Sequence, residues 1–220
     1  MSKTKAHHRY RLKPTEQYPK GEIVKGTTTV TGGQLAWNKN VLMRWANRMG
    51  LKGIDSNKYA DDKAGIGTLA HAHITNDLLG KDTDTSDYTK NQIAAAKNSV
   101  ASFVRWWRQH DCETPLFVEE PLVSEQYRYG GTADIYWKVD GVLELTDLKT
   151  GGIWPEHFVQ VGGGYVQLLT ENGHKVERVR ILSIPRTKDE EFSDVILPDS
   201  DKYWQVFEHC LALHELKKRF

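Results

Sequence analysis

Three side chains suited to chemistry on a phosphodiester stand close together in this chain: Asp134, Asp147 and Lys149. Asp134 closes the run Gly130-Gly131-Thr132-Ala133-Asp134, and Asp147 opens Asp147-Leu148-Lys149-Thr150. Between them, Ile135–Val139 and Val142–Leu148 are rich in β-branched, aromatic and aliphatic residues, and they are separated by Asp140-Gly141, a pair that favours a two-residue hairpin turn. A turn there sets Val139 opposite Val142 and therefore Asp134 opposite Asp147, while strand alternation puts Lys149 on the face of Asp147. Two carboxylates across a strand pair repel, so the arrangement calls for a cation between them or for the lysine to neutralise them. Hard oxygen donors suit Mg²⁺ or Mn²⁺, bound through one or two carboxylates and a substrate phosphate. The lysine would then align an attacking water and stabilise charge developing at phosphorus. Taken alone, the same triplet also describes a surface ion pair between Lys149 and Asp147, which contributes under ~1 kcal/mol.

The elements that must position these groups follow from apolar periodicity. From Gly33 to Met49, the spacing of Leu35, Trp37, Val41, Leu42, Trp45 and Met49 predicts a first helix, with Gly50 as its stop. A second spans about Ala64 to Leu79, where His71 shares a stripe with Thr68, Ile74, Thr75 and Leu78 while His73 points elsewhere. The polar stretch Asp82–Asp87 reads as a loop, since it lacks the central glycine and distal glutamate of a calcium site. Lys90 to His110 forms a long amphipathic helix through Ile93, Ala96, Val100, Phe103, Val104 and Trp107, its stripe facing the core. Leu116–Val123 is the strand before the hairpin. Its Glu119 and Glu120 point to opposite faces, so only one can line the site, and Pro121 with a bulge leaves the parity open. Glu144 faces away from both aspartates. A loop from Thr150 to Pro155 leads to a helix over Glu156–Thr170 that carries Gln160; Trp154 in that loop either stacks on a base or packs in the core. A strand over Glu177–Ile184 and a helix over Tyr203–Leu216 complete the order.

That order resembles the PD-(D/E)xK nuclease superfamily, and within it the RecB-type exonucleases of recombination enzymes and phages. The matching pieces are Gly67-Thr68-Leu69-Ala70-His71, a glutamate at 119 or 120, Gly131-Thr132-Ala133-Asp134, Asp147-Leu148-Lys149-Thr150, and Gln160. They cover about residues 65–185. The resemblance implies an α/β, restriction-endonuclease-like core: a helix, a three-stranded antiparallel meander, a helix and a strand, in a mixed sheet flanked by helices, with extra helices at both ends. It implies that His71, Asp134, Asp147 and the Leu148 carbonyl ligate Mg²⁺ or Mn²⁺, that Lys149 is the catalytic lysine, and that Glu119 and Gln160 assist. Thr150, Trp154 and Tyr165 would touch substrate. The family tyrosine stands four residues after the glutamine, whereas position 164 is glycine here and Tyr165 follows one step later. Five helical steps overshoot alignment by about 140°, which keeps Tyr165 off the face of Gln160 unless Gly162-Gly163-Gly164 distorts the helix. The implied activity is water-driven hydrolysis of DNA, exonucleolytic, in recombination, repair or replication. DNA is the implied partner, with a recombinase, single-strand-annealing protein or helicase to deliver it. A nicking or structure-selective endonuclease and a catalytically silent DNA-binding scaffold subunit are the alternatives.

With 220 residues and a formal net charge of +1, the chain can bury one substantial core but lacks the global basicity of a protein that holds nucleic acid by charge alone. Residues 1–25, with Lys3, Lys5, His7, His8, Arg9, Arg11 and Lys13, read as a flexible basic arm ahead of one nuclease domain over residues 26–220. No apolar run approaches 18 residues, and the two cysteines suggest reduced thiols, a cytoplasmic setting and no four-cysteine iron–sulfur cluster.

Overall fold

The structure is a computed structural model that describes residues 8–198 and 201–220. Its centre is the predicted hairpin. β3 (Tyr129–Val139) and β4 (Val142–Lys149) pair antiparallel from Val139↔Val142 to Ile135↔Thr146. Asp140 and Gly141 both adopt positive φ, 54° and 79°, the backbone signature of the turn that matches strand twist. β2 (Phe117–Ser124) pairs antiparallel with β3, giving the expected meander. β5 (Arg178–Ser183) then pairs parallel with β4, and β6 (Ser193–Leu197) antiparallel with β5. A two-residue β1 (Lys25–Gly26) runs parallel to β3 at Tyr129–Gly130. Because β2 overlaps both β1 and β4 along β3, those two must share the opposite edge of β3, which leaves residues 131–134 between them without a strand partner on that side.

Helices cover both faces of this mixed sheet. Before the hairpin come α1 (Thr27–Gln34), α2 (Lys39–Leu51), α3 (Ser56–Leu78) and α4 (Lys90–Trp107). After β4 the chain forms α5 (Pro155–Phe158), a π-helix over Val159–Tyr165 and α6 (Val166–Glu171), and α7 (Asp201–Lys217) closes it. On one face Ile74 of α3 and Phe103 and Trp106 of α4 pack on Ile135, Trp137, Leu148 and Leu182. On the other, Val161, Tyr165, Leu168 and Leu169 pack with Phe207 of α7 against Tyr129, Ala133, Tyr136 and Leu145.

Local signals explain most boundaries. Asp55 accepts from the Asn57 and Lys58 amides and starts α3 eight residues before the predicted helix, and Thr89 with Gln92 forms a capping box at α4. The helix expected over Gly33–Met49 is observed as α2, starting only at Lys39; residues 35–38 are not helical, α1 lies almost wholly before the expected start, and the apolar spacing of α2 meets no core: none of its residues is buried. In α4 the stripe lies one residue off the expected line at its end, so Trp106 is buried and donates to Asp194 at 2.9 Å while Trp107 is 40% exposed. β1 and β6 had no counterpart in the sequence reading. Of the expected basic arm, residues 1–7, including His7, lie outside the described residues. The remainder folds onto the sheet: Arg11 bridges Ile23, the Val24 amide donates to the Tyr10 carbonyl at 2.9 Å, and Leu12 and Val24 are buried.

Glu144, excluded from the site on parity, lies in a buried charge network instead. It accepts from Thr146 at 2.7 Å and Arg180 at 2.9 Å and pairs with Arg178, while Arg180 also holds Asp194.

Candidate active site

The regular pleat breaks at one place, and the chemistry-bearing residues collect there. The β2–β3 ladder runs in constant register but skips Glu119 and Asp134, which would pair. Glu119 has φ 52°, a left-handed conformation uncommon for a residue with a side chain. Core membership shows the consequence. Ala133 and Leu122 pack on the side of α6 and α7, Ile135 packs on the side of α3 and α4, and Tyr136 and Phe117 return to the first side. Strict alternation would keep Ala133 and Ile135 on one face. Both strands therefore switch faces at Glu119 and Asp134, and this is why counting parity along β2 could not choose between Glu119 and Glu120.

His71 arrives from α3. Its Nδ1 lies 3.6 Å from Asp134 Oδ2 and 3.9 Å from Glu119 Oε1. Ligand atoms of His71, Glu119 and Asp134 lie within 4.8 Å of one another, a mixed imidazole and carboxylate set that fits a divalent metal. α3 is seated by Gly67, one turn earlier: a Cβ there would lie 2.5 Å from Thr150 Oγ1, so the predicted substrate contact Thr150 packs on α3 directly beside the histidine's helix turn. Asp134 is 8% exposed and its Oδ2 accepts from the Leu148 amide at 2.8 Å. The ladder between β3 and β4 stops at Ile135↔Thr146, so the two aspartates follow the predicted register but sit past its last paired position.

Asp147 falls outside the three-residue cluster. It is 1% exposed and ion-paired to Lys149, and its Oδ2 has no hydrogen-bond donor besides that ammonium among the described residues. Burial raises the proton affinity of both aspartates, against the lowering influence of His71 on Asp134 and of Lys149 on Asp147. Burial alone would depress Lys149, but Asp147 and Asp134 outweigh it and hold the ammonium above its ordinary value. His71 behaves alike: burial lowers it, and Asp134 and Glu119 more than restore it. The carboxylates thus lie beside cationic or basic groups of the same chain, and metal binding at His71 would compete with its protonation.

Gln160 and Tyr165 are joined despite the helical-step argument against them. The π-helix over Val159–Tyr165 lengthens the turn so that residues five apart align, and Gln160 Nε2 donates to the Tyr165 hydroxyl at 2.7 Å, both side chains buried. Burial and the nearby charges of Asp147 and Asp134 hold that phenol well above its ordinary pKa, so it stays a neutral donor. The glycines that permit the turn are packing requirements: a Cβ on Gly163 would lie 2.4 Å from the Tyr203 carbonyl oxygen, and one on Gly164 2.4 Å from Thr27 Cγ2.

Two further residues belong here that the sequence reading missed. A Cβ on Gly130 would strike the ring of Tyr10 at 2.2 Å, and one on Gly131 would meet Tyr165 at 2.8 Å, so the paired glycines before Asp134 make room for two tyrosines. The Tyr10 hydroxyl bonds Thr132 Oγ1 at 2.9 Å; burial raises its pKa and the charge of Glu119 adds to the rise. Tyr10 lay in a stretch without periodicity, and no local signal marked it. His157 accepts the Trp154 amide at Nδ1, 3.2 Å away, and burial followed by the Lys149 charge depresses it to about 4. It is a neutral ring beside the lysine, and its only sequence hint was its place between Pro155 and Gln160. Trp154 itself is 37% exposed and is not part of the core. For Leu148, the backbone group seen at the site is the amide to Asp134. His73 has no part in the cluster, as expected.

No helix among the described residues is long and apolar enough to cross a membrane. No protein-family model matches the chain, and no curated protein sequence matches it. Among solved structures, it is similar to a "Putative exonuclease" of Eubacterium rectale at 12% identity and a TM-score of 0.49, over 69% of this chain and 65% of that one, so the match spans just under two thirds of that protein's length.

Proposed function

We propose that this chain is a metal-dependent deoxyribonuclease of the PD-(D/E)xK type that degrades DNA from its ends. The observation that carries the reading is the convergence of His71, Glu119 and Asp134 within 4.8 Å beside a buried Asp147–Lys149 pair, at the one place where the sheet gives up its regular pairing.

His71, Glu119 and Asp134 would hold Mg²⁺ or Mn²⁺, with Asp147 close enough to Asp134 to be felt electrostatically. When bound, the ion supplies Lewis-acid polarisation of the phosphate. The chain's own groups do the rest. Lys149 is held charged by Asp147, so it acts as an electrostatic and orienting donor toward the attacking water and the developing phosphorane, not as a proton acceptor. The neutral His157 ring beside it leaves the ammonium as the cation of that corner. Gln160 fixes the Tyr165 hydroxyl as a second neutral donor near the two aspartates. Asp134 and Asp147 are buried, which strengthens their interactions, while His71, Glu119 and Lys149 keep partial access to solvent.

The test is digestion of linear DNA labelled at either end, alongside a covalently closed circle, in Mn²⁺ or chelator. Mn²⁺-dependent loss of linear DNA with an intact circle is expected. Cutting of the circle would replace the exonuclease with an endonuclease, and no hydrolysis of either substrate would refute the reading.

A further inference from the structure

From residue 32 to residue 65 no side chain is buried, yet this stretch carries Trp37, Val41, Leu42, Met43 and Leu51, exposed by 53%, 50%, 47%, 58% and 81%. Monomers rarely leave so much apolar surface uncovered without a partner for it. The charges along it are one-sided. α2 holds Lys39, Arg44 and Arg48 and no acid, and between residues 39 and 63 six cations face three carboxylates, in a chain whose net charge is only +1. Two of the three acids are already engaged, Asp55 in capping α3 and Asp62 with Gln92 at 2.9 Å. Arg44, Arg48 and Lys52 recur every four residues and form one row along the helix with steps of about 6 Å.

This cationic, aromatic arm is docked beside the candidate site. The Asn38 amide at the start of α2 donates to Glu156 Oε1 at 3.0 Å. Glu156 adjoins His157, which senses the Lys149 charge, and the exposed Trp154 begins the same short helix. At its other end the arm passes through a short turn at residues 52–55 into α3, the helix that carries His71. Aromatic faces together with a row of cations match a single nucleic acid strand, whose bases are free to stack and whose phosphates follow one another at helix-turn spacing. A duplex would satisfy the cations but leave the tryptophans with no base face to cover.

We infer that α2 and the first turns of α3 form a seat for one DNA strand leading into the site, with Trp37 and Trp154 as stacking platforms and Arg44 and Arg48 on phosphates. The inference rests on the nuclease reading of that site. It is tested in chelator, where cleavage is silent, by fluorescence anisotropy of a labelled oligothymidylate of about 20 nucleotides and of a duplex of equal length, the strand exceeding the roughly 4–16 nucleotides that a single-strand-binding fold covers. The intact chain should prefer the single strand. Trp37→Ala should weaken that binding roughly 5- to 150-fold, and Arg44→Glu with Arg48→Glu should flatten the dependence of log Kd on log salt by about 1.4. Three results would each overturn the seat: unchanged affinity in both variants, equal binding of duplex and strand, or dissociation of a dimer by the double variant, seen in sedimentation, with strand binding intact. Arm-dependent binding without Mn²⁺-dependent hydrolysis would support the seat while overturning the nuclease reading, and hydrolysis with arm-independent binding would overturn the seat alone.

Discussion

Replacing Glu119 with glycine should make the metal-free protein no less stable while weakening its hold on metal. With φ at 52°, a residue bearing a Cβ costs about 1–2 kcal/mol relative to ordinary backbone regions, and glycine removes that cost but loses about 0.5–1 kcal/mol through its freer unfolded chain. The Glu119 side chain is 38% exposed, so little burial is forfeited, and its loss also removes a charge that raises Asp134. The net change for Glu119→Gly lies between about 0 and +1.5 kcal/mol, or up to roughly 5 °C in Tm for a chain of this size. The same substitution removes one of three candidate ligands. If it weakens Mn²⁺ binding tenfold, the stabilisation at saturating metal falls by about 1.4 kcal/mol. Scanning calorimetry with and without Mn²⁺ reads both effects in one experiment. Glu119→Gln is the control, since it keeps the strained backbone and alters only the charge. A clear fall in metal-free Tm for Glu119→Gly, or a Mn²⁺-dependent rise equal to that of the unaltered chain, would refute the argument that backbone strain here serves a ligand.

Other outcomes follow from the same geometry. Asp147→Asn should abolish hydrolysis and, by stranding the buried Lys149 ammonium, destabilise the fold by about 3–5 kcal/mol; adding Lys149→Met should restore most of the stability and none of the activity, in a thermal-denaturation cycle read beside nuclease assays. Gly163→Ala, which at an ordinary helical site would stabilise by about 1 kcal/mol, should instead destabilise by about 1–3 kcal/mol, because the new Cβ meets the Tyr203 carbonyl at 2.4 Å; urea denaturation checks the sign. His157 has a folded pKa depressed from 6.5 to about 4, so the unfolded chain binds the extra proton and stability falls as pH drops from 6.5 toward 4. The full displacement corresponds to about 3 kcal/mol, discounted for partial exposure to roughly 2, and a His157→Gln protein should lose that slope in a pH series of melting curves.

The hairpin and its register were legible because Asp140-Gly141 fixes the turn and the turn fixes every pair after it, down to Asp134 and Asp147. The stripe on a helix gave the face of His71, but only the resemblance carried by Gly67-Thr68-Leu69-Ala70-His71 singled it out; β2, β5 and α7 were legible from periodicity. The pieces that were hidden depend on contacts between distant segments. Local spacing cannot report that α2 lacks a core to cover its apolar residues, or that Tyr10 is received by Gly130 more than a hundred residues later. The run Gly162-Gly163-Gly164 hinted at a distorted helix, but local spacing could not report the close approach of Tyr203 and Thr27 that those glycines accommodate. Asp147 shows the same limit: strand alternation placed it with Asp134 and Lys149, and only the tertiary structure shows that it is buried and ion-paired to the lysine while ligand atoms of His71, Glu119 and Asp134 lie within 4.8 Å of one another.

Three local rules fail within this one region: Glu119 is left-handed, the β2–β3 ladder skips Asp134 while the β3–β4 ladder ends just before it, and the helix opposite widens into a π-turn that brings Tyr165 to Gln160. Each failure forgoes stability that regular structure would have supplied at no cost to the core. Separate defects would be scattered over a sheet and eight helical segments. Here the first two turn Glu119 and Asp134 toward His71, and the third brings a neutral hydroxyl to the same aspartates. Foldable sequences agree with themselves at every level except where another requirement overrides them. The requirement that accounts for all three is the gathering of carboxylates, an imidazole and an ammonium at spacings that a flat, regularly paired sheet does not offer.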